Sequence, residues 1–215
     1  MPEGDPNWRS CRPLGISCAA TLLSDTDEVI LWHGAASDRL SRHEAADLVE
    51  YLTEEVGRGY TIATWNGMGF DFDILAEESG MLAECRELAV NQVDMMFHIL
   101  CRLGYGVSLN AAARGMGLPG KPEGMNGAMA PILWAEGKRE AVLDYVAQDV
   151  RTTAELATEC EACGALRWIT KSGKARRMML PEGWLTVEEA EQLPQANTSW
   201  MTDPWVRADF TAWLR

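Results

Sequence analysis

Residues 60 to 75, YTIATWNGMGFDFDIL, place two demands on the fold within one short stretch. The apolar run over 60–65 predicts a buried strand, rich in aromatic and β-branched residues. It stops at Asn66, passes Gly67 and Gly69, and delivers Phe70, Asp71, Phe72 and Asp73 before the chain turns helical. A core strand has no structural need for carboxylates where it ends, whereas open α/β sheets bind their ligands at that end of a strand. Read alone, either carboxylate is better explained as a cap for the helix that follows.

The flanking segments extend the same pattern. LGISCAATLL (14–23) and VILWH (29–33), joined by SDTDE, predict a hairpin. In SRHEAADLVEYLTEEVGRG, Ser41 and Glu44 fit a capping box, and Ala45, Leu48, Val49, Leu52 and Val56 recur at helical spacing up to Gly57. A short helix is expected after Asp73, another over 81–89, and a third after Asp94, which reads as its N-cap. Two short helices around a Gly/Pro-rich loop follow over 108–137, and 138–160 is the longest helical segment. Hairpin, helix, strand and then several helices describe a mixed α/β domain.

Residues 161–215 differ in character. RWITKSGKARRMML predicts a hairpin turning at Ser172–Gly173, with Lys171, Lys174, Arg176 and Arg177 clustered on it. That cluster is either a surface for nucleic acid or a solvated hairpin offsetting an acidic protein. TVEEAEQLP predicts a short helix, and Trp200, Trp205 and Trp213 predict a tail packed back onto the domain. The expected division is therefore a domain over 1–160 with a C-terminal extension over 161–215.

Composition narrows the function classes. The 215 residues carry 19 Lys and Arg against 32 Asp and Glu, a net charge of −13, so no broad basic face is available for gripping duplex DNA. An enzyme that gathers acids around metal ions remains compatible with that charge. No apolar run reaches membrane-spanning length and the N-terminus has no signal-peptide pattern, so a cytoplasmic protein is expected. Cys11, Cys18, Cys85 and Cys101 stand alone. Cys160 and Cys163 form a C-x-x-C without a second pair, which predicts reduced thiols near a helix end rather than a zinc site.

Tyr145 and Asp149 are four residues apart, so on a helix they share one face. A phenol one turn before a carboxylate offers a metal ligand and a hydroxyl that orients water. Metal-assisted phosphodiester cleavage needs carboxylates for hard divalent ions and a group that positions the nucleophile. Read alone, the pair is better explained as an ordinary half-buried helix face.

Read together and in order, WNGMGFDFDIL and YVAQDVRTTAEL resemble the second and third motifs of DEDD-type 3′–5′ exonucleases of the tyrosine branch, with the spacing found in family B DNA polymerases. The matching positions are Asn66, Phe70 and Asp71, then Tyr145 and Asp149, and the resemblance covers roughly 13–160. It implies a ribonuclease H-like fold, two divalent metal ions (Mg²⁺ or Mn²⁺), and hydrolysis from a 3′ end with release of nucleoside monophosphates. It also implies that Asp71 and Asp149 are metal ligands and that Tyr145 orients or activates the attacking water. The region around 108–127, including Lys121, would border the substrate groove. With the charge of −13, the expected substrate is a single-stranded DNA or RNA 3′ end held by stacking and few phosphate contacts.

The family's first motif, Asp-x-Glu on the first strand, has no counterpart in these residues; Glu3-Gly-Asp5 is flanked by proline and glycine and cannot form a central strand. In the implied arrangement that strand lies between LGISCAATLL and YTIATW. The expectation is that such a strand is encoded upstream of Met1, and that the 215 residues alone have little or no activity. The alternative is a catalytically inactive exonuclease-like module for nucleic-acid binding or protein interaction.

Overall fold

A computed structural model describes residues 8–120, 127 and 129–215. Strands β1 (Cys18–Leu23) and β2 (Glu28–His33) pair antiparallel, from Cys18 opposite His33 to Leu23 opposite Glu28. Helix α1 (Arg42–Gly57) begins at the expected capping box, with the Ser41 side chain accepting from the Glu44 N–H and the Glu44 carboxylate accepting from the Ser41 N–H.

The expected strand over 60–65 is reduced to β3 (Ala63–Thr64), which pairs in parallel with β4 (Val93–Asp94). A strand extends only as far as its ladder, and β3 has a partner along one edge for two residues. Helices α2 (Phe72–Ser79), α3 (Leu82–Asn91), α4 (Met95–Leu103), α5 (Leu109–Met116) and α6 (Ala130–Ala135) follow. Then come the long α7 (Arg139–Cys163), the antiparallel strands β5 (Ala165–Ile169) and β6 (Ala175–Met179), and the short α8 (Val187–Glu191) and α9 (Arg207–Thr211). Among the described residues the strands form three two-stranded sheets.

Two apolar cores meet at α4, whose residues Met95 to Cys101 are all buried. Phe97, Leu100 and Cys101 join Leu48, Val49, Phe72 and Leu88 in the first; Met95 and Ile99 join Leu109, Leu156, Leu166 and Trp168 in the second. A helix apolar on all sides is stable only when enclosed, and the C-terminal residues help to enclose this one. The β5–β6 hairpin contributes Leu166, Trp168 and Met178 to the second core, and α8 contributes Val187 and Ala190 to the first.

The six cysteines are free thiols. Burial pushes Cys160 up to about 12, and Cys163 is exposed at the end of α7. No helix among the described residues is long and apolar enough to cross a membrane.

His98 ties α4 to the C-terminal region. Its Nδ1 accepts from the Leu185 N–H at 3.2 Å, which places the ring proton on Nε2, and the ring stands edge-on to Trp184. Burial, with Arg102 nearby and Glu189 opposing, lowers its pKa to about 4. The unfolded chain therefore binds this proton first, and the stabilisation from neutral His98 is complete above about pH 6.5 and lost as pH falls towards 4. Thermal melts across that window should show His98→Asn, whose side-chain oxygen still accepts from Leu185, losing less stability on acidification than wild type. An equal loss in both proteins would refute the assignment.

Candidate active site

The chain leaves β3 through Asn66, which adopts a left-handed conformation (φ 75°), and makes a π-type turn over Gly67–Asp71 before α2. Such turns recur at functional sites because they displace a side chain from regular helical register. Both glycines are required by close approach. A Cβ on Gly67 would clash with the Thr64 hydroxyl and Gln92, and one on Gly69 would clash with Phe210.

Asp94 holds this turn in place. One carboxylate oxygen accepts from the N–H of Asn66 (2.9 Å) and of Phe97 (3.0 Å), and the other accepts from Met68 (2.8 Å). The expected N-cap of α4 is thus present, and the same side chain anchors the turn that presents Asp71. Sequence spacing could not show this, because the two segments lie 28 residues apart and meet only through β3–β4 pairing.

Neither Asp71 nor Asp73 caps α2: the cap position at Asp71 has no side-chain hydrogen bond. Asp73 is 2% exposed and ion-paired with Arg9 (2.9 Å) and Arg12, beneath Trp8, which packs edge-on against Phe70. On the other side Trp213 donates its indole N–H to the Met68 carbonyl (2.8 Å). The turn is therefore clamped from both ends of the chain, by residues whose roles no local motif announces.

Asp71 faces a cleft of about 2010 Å³. Its side chain has accessible surface, since the cleft is open, but the surrounding protein displaces bulk water. That desolvation, reinforced by the negative charge of Asp94, raises its pKa to about 7. Asp149, on α7, lines the same cleft, with Asn66 from the turn and Asn110 and Arg114 from α5. The structure thus brings Asp71 and Asp149, 78 positions apart, to one cavity. Tyr145, one turn earlier on α7, is buried and does not line it.

The remaining sequence candidates lie elsewhere. Phe70 packs against Trp8 outside the cleft wall. Lys171, Lys174, Arg176 and Arg177 are exposed on and around the β5–β6 hairpin, away from the cleft lining. Lys121 lies outside the described residues.

All of residues 18–24 line the cleft, as do all of 60–66. Side chains alternate across a strand, so consecutive residues border one cavity only when the strand presents its edge. The free edges of β1 and β3 therefore face each other across it, with α7 packed against both.

The oxygen donors suit a hard divalent cation, but the set is incomplete. Mg²⁺ takes about six oxygen ligands, and among the described residues no group of three His, Cys, Asp or Glu side chains comes close enough to hold an ion. These residues alone do not form a two-metal centre.

A family model described as the RNase_H superfamily matches residues 35–160, more than half of the chain. The chain belongs to the RNase H superfamily. No curated protein and no solved structure matches it. The α/β arrangement is that of a ribonuclease H-like fold, in a superfamily whose members are typically nucleases that act on nucleic acid and generally use divalent metals. The segment matched to the superfamily carries Asp71, Asp94, Tyr145 and Asp149, and ends before the β5–β6 hairpin.

Proposed function

We propose that this RNase H superfamily protein is a metal-dependent 3′–5′ exonuclease of the tyrosine DEDD branch, acting on single-stranded nucleic acid. The observation that carries the reading is the convergence of Asp71 and Asp149 on one cleft, at the end of a strand and on the face of a long helix. In this reading their carboxylates are ligands for Mg²⁺ or Mn²⁺. Tyr145, one helical turn before Asp149 on α7 though not itself in the cleft lining, is assigned the task of orienting the attacking water. Its burial makes Tyr145→Phe a clean test, since only the hydroxyl is lost.

A second reading has its own support. Because no three candidate ligands come together among the described residues, a module that binds nucleic acid without cleaving it fits the same cleft.

End-labelled oligonucleotides separate the two. With Mg²⁺ or Mn²⁺, a single strand with a free 3′ end should shorten stepwise to mononucleotides, while the same strand with a blocked 3′ end should resist. Circular DNA cut as fast as linear would rule out an exonuclease. Binding without any cleavage would favour the module.

A further inference from the structure

The basic hairpin is not explained by packing. Its inward face is accounted for by Leu166, Trp168 and Met178, all buried in the second core. On the opposite face, Arg167 and Arg177 are direct cross-strand partners, both exposed. Like charges placed directly opposite destabilise a sheet, yet here they occur in a protein of net charge −13 with acids in excess. Arg167, Lys171, Lys174, Arg176 and Arg177 fall within 167–177, the stretch 167–180 contains no acid, and among the described residues none of the five forms an ion pair.

An aromatic pair adjoins these cations. Tyr105 lies close enough to Arg176 to feel its charge, and Trp200 packs edge-on against Tyr105 with centroids 6.1 Å apart. Trp200 is 69% exposed, an uncommon state for the largest side chain. Helix α5 joins this region to the cleft. Helix α5 puts Asn110 and Arg114 in the cleft wall, and its last turn touches β5, where Gly115 abuts the Arg167 backbone and the Arg167 N–H lies 3.3 Å from the Met116 sulfur. Gly106, next to Tyr105, lines the cleft too.

We propose that a single-stranded polynucleotide leaving the cleft crosses the Tyr105–Trp200 pair and runs along the β5–β6 hairpin, its bases stacking on Trp200 and its phosphates meeting Arg167, Lys171, Lys174, Arg176 and Arg177. An exposed aromatic near unpaired cations is a combination that holds single strands without reading sequence. This rests on the nuclease reading only for the direction of the strand; binding itself needs no catalysis.

The test is fluorescence anisotropy with a labelled oligo-dT and an oligo-rU of about 20 nucleotides, long enough to span the cleft and the hairpin. EDTA is present, so nothing is cleaved. The variant carrying Lys171→Ala, Lys174→Ala, Arg176→Ala and Arg177→Ala should bind at least tenfold more weakly. Its plot of log affinity against log salt should flatten by about 0.7 for each phosphate that the variant no longer neutralises. Trp200→Ala should weaken binding with the salt slope unchanged, because stacking releases no counterions. Unchanged affinity and slope in the four-fold variant would overturn the proposal, and so would competition by poly-glutamate as effective as that by oligo-dT, which would assign the surface to an acidic protein. Should the four-fold variant not fold, as judged by its melt, the single change Lys174→Glu at the exposed turn decides the matter, and wild-type affinity there overturns it. Because EDTA is present throughout, the binding result stands whether or not the nuclease reading holds.

Discussion

Asp71→Asn and Asp149→Asn are each expected to lower Mg²⁺- or Mn²⁺-dependent release of nucleotides by ~10²-fold or more, since even outer-shell changes at metal sites cost ten- to a hundredfold. A neutral amide is a poor ligand for a hard cation, and both side chains line the cleft rather than support the core. A readout independent of turnover is the rise in melting temperature on adding Mn²⁺, which should vanish in both variants. For Asp71→Asn the sign of the stability change can also be stated. Because the folded-state pKa is raised to about 7, the folded protein holds a proton that the unfolded chain releases near pH 4, so stability falls as pH rises between these values. Above pH 7 the folded protein carries a desolvated charge beside Asp94. Without metal, Asp71→Asn should therefore melt higher than wild type at pH 8 and match it near pH 4. Wild-type rates and an undiminished Mn²⁺ shift in both variants would refute the site.

Asp94→Ala is expected to be the most destabilising single change outside the apolar cores. The carboxylate is 1% exposed and accepts three backbone N–H groups, two from the turn and one from the first turn of α4. Each N–H left buried without a partner costs ~1–3 kcal/mol. A total of ~3–5 kcal/mol is expected after relaxation, a large share of the ~5–15 kcal/mol of a typical domain. Asp94→Asn keeps one acceptor oxygen, which can still accept from both Asn66 and Phe97 while the Met68 N–H loses its partner, so it should fall between wild type and Asp94→Ala. Urea unfolding measures the difference; a loss below about 1 kcal/mol in Asp94→Ala would show that the turn holds its shape without this anchor.

Local signals in the sequence were sufficient for elements whose causes are local. The capping box at Ser41 and Glu44, the helical spacing through Leu48 and Leu52, the cap at Asp94, the hairpin turn at Ser172–Gly173 and the long helix through Tyr145 and Asp149 all depend on residues within a few positions of one another. The resemblance of two ordered motifs reached further and named Asp71 and Asp149, which the fold places on one cleft 78 positions apart in the chain.

Other features depended on distant contacts. Residues 60–65 have the composition of a strand, yet only Ala63 and Thr64 form one, because a ladder needs a partner and composition does not record where partners lie. Asp73 looked like a cap and proved to be the buried counter-ion of Arg9 and Arg12, more than 60 positions away. Asp94 joins two segments that approach only through parallel pairing, and the Trp-rich tail reaches back to the turn through Trp213 and Phe210. Hydrogen-bond caps and amphipathic periodicity are written in neighbouring residues, whereas strand edges, buried ion pairs and clefts are properties of surfaces that exist only after the chain has closed on itself.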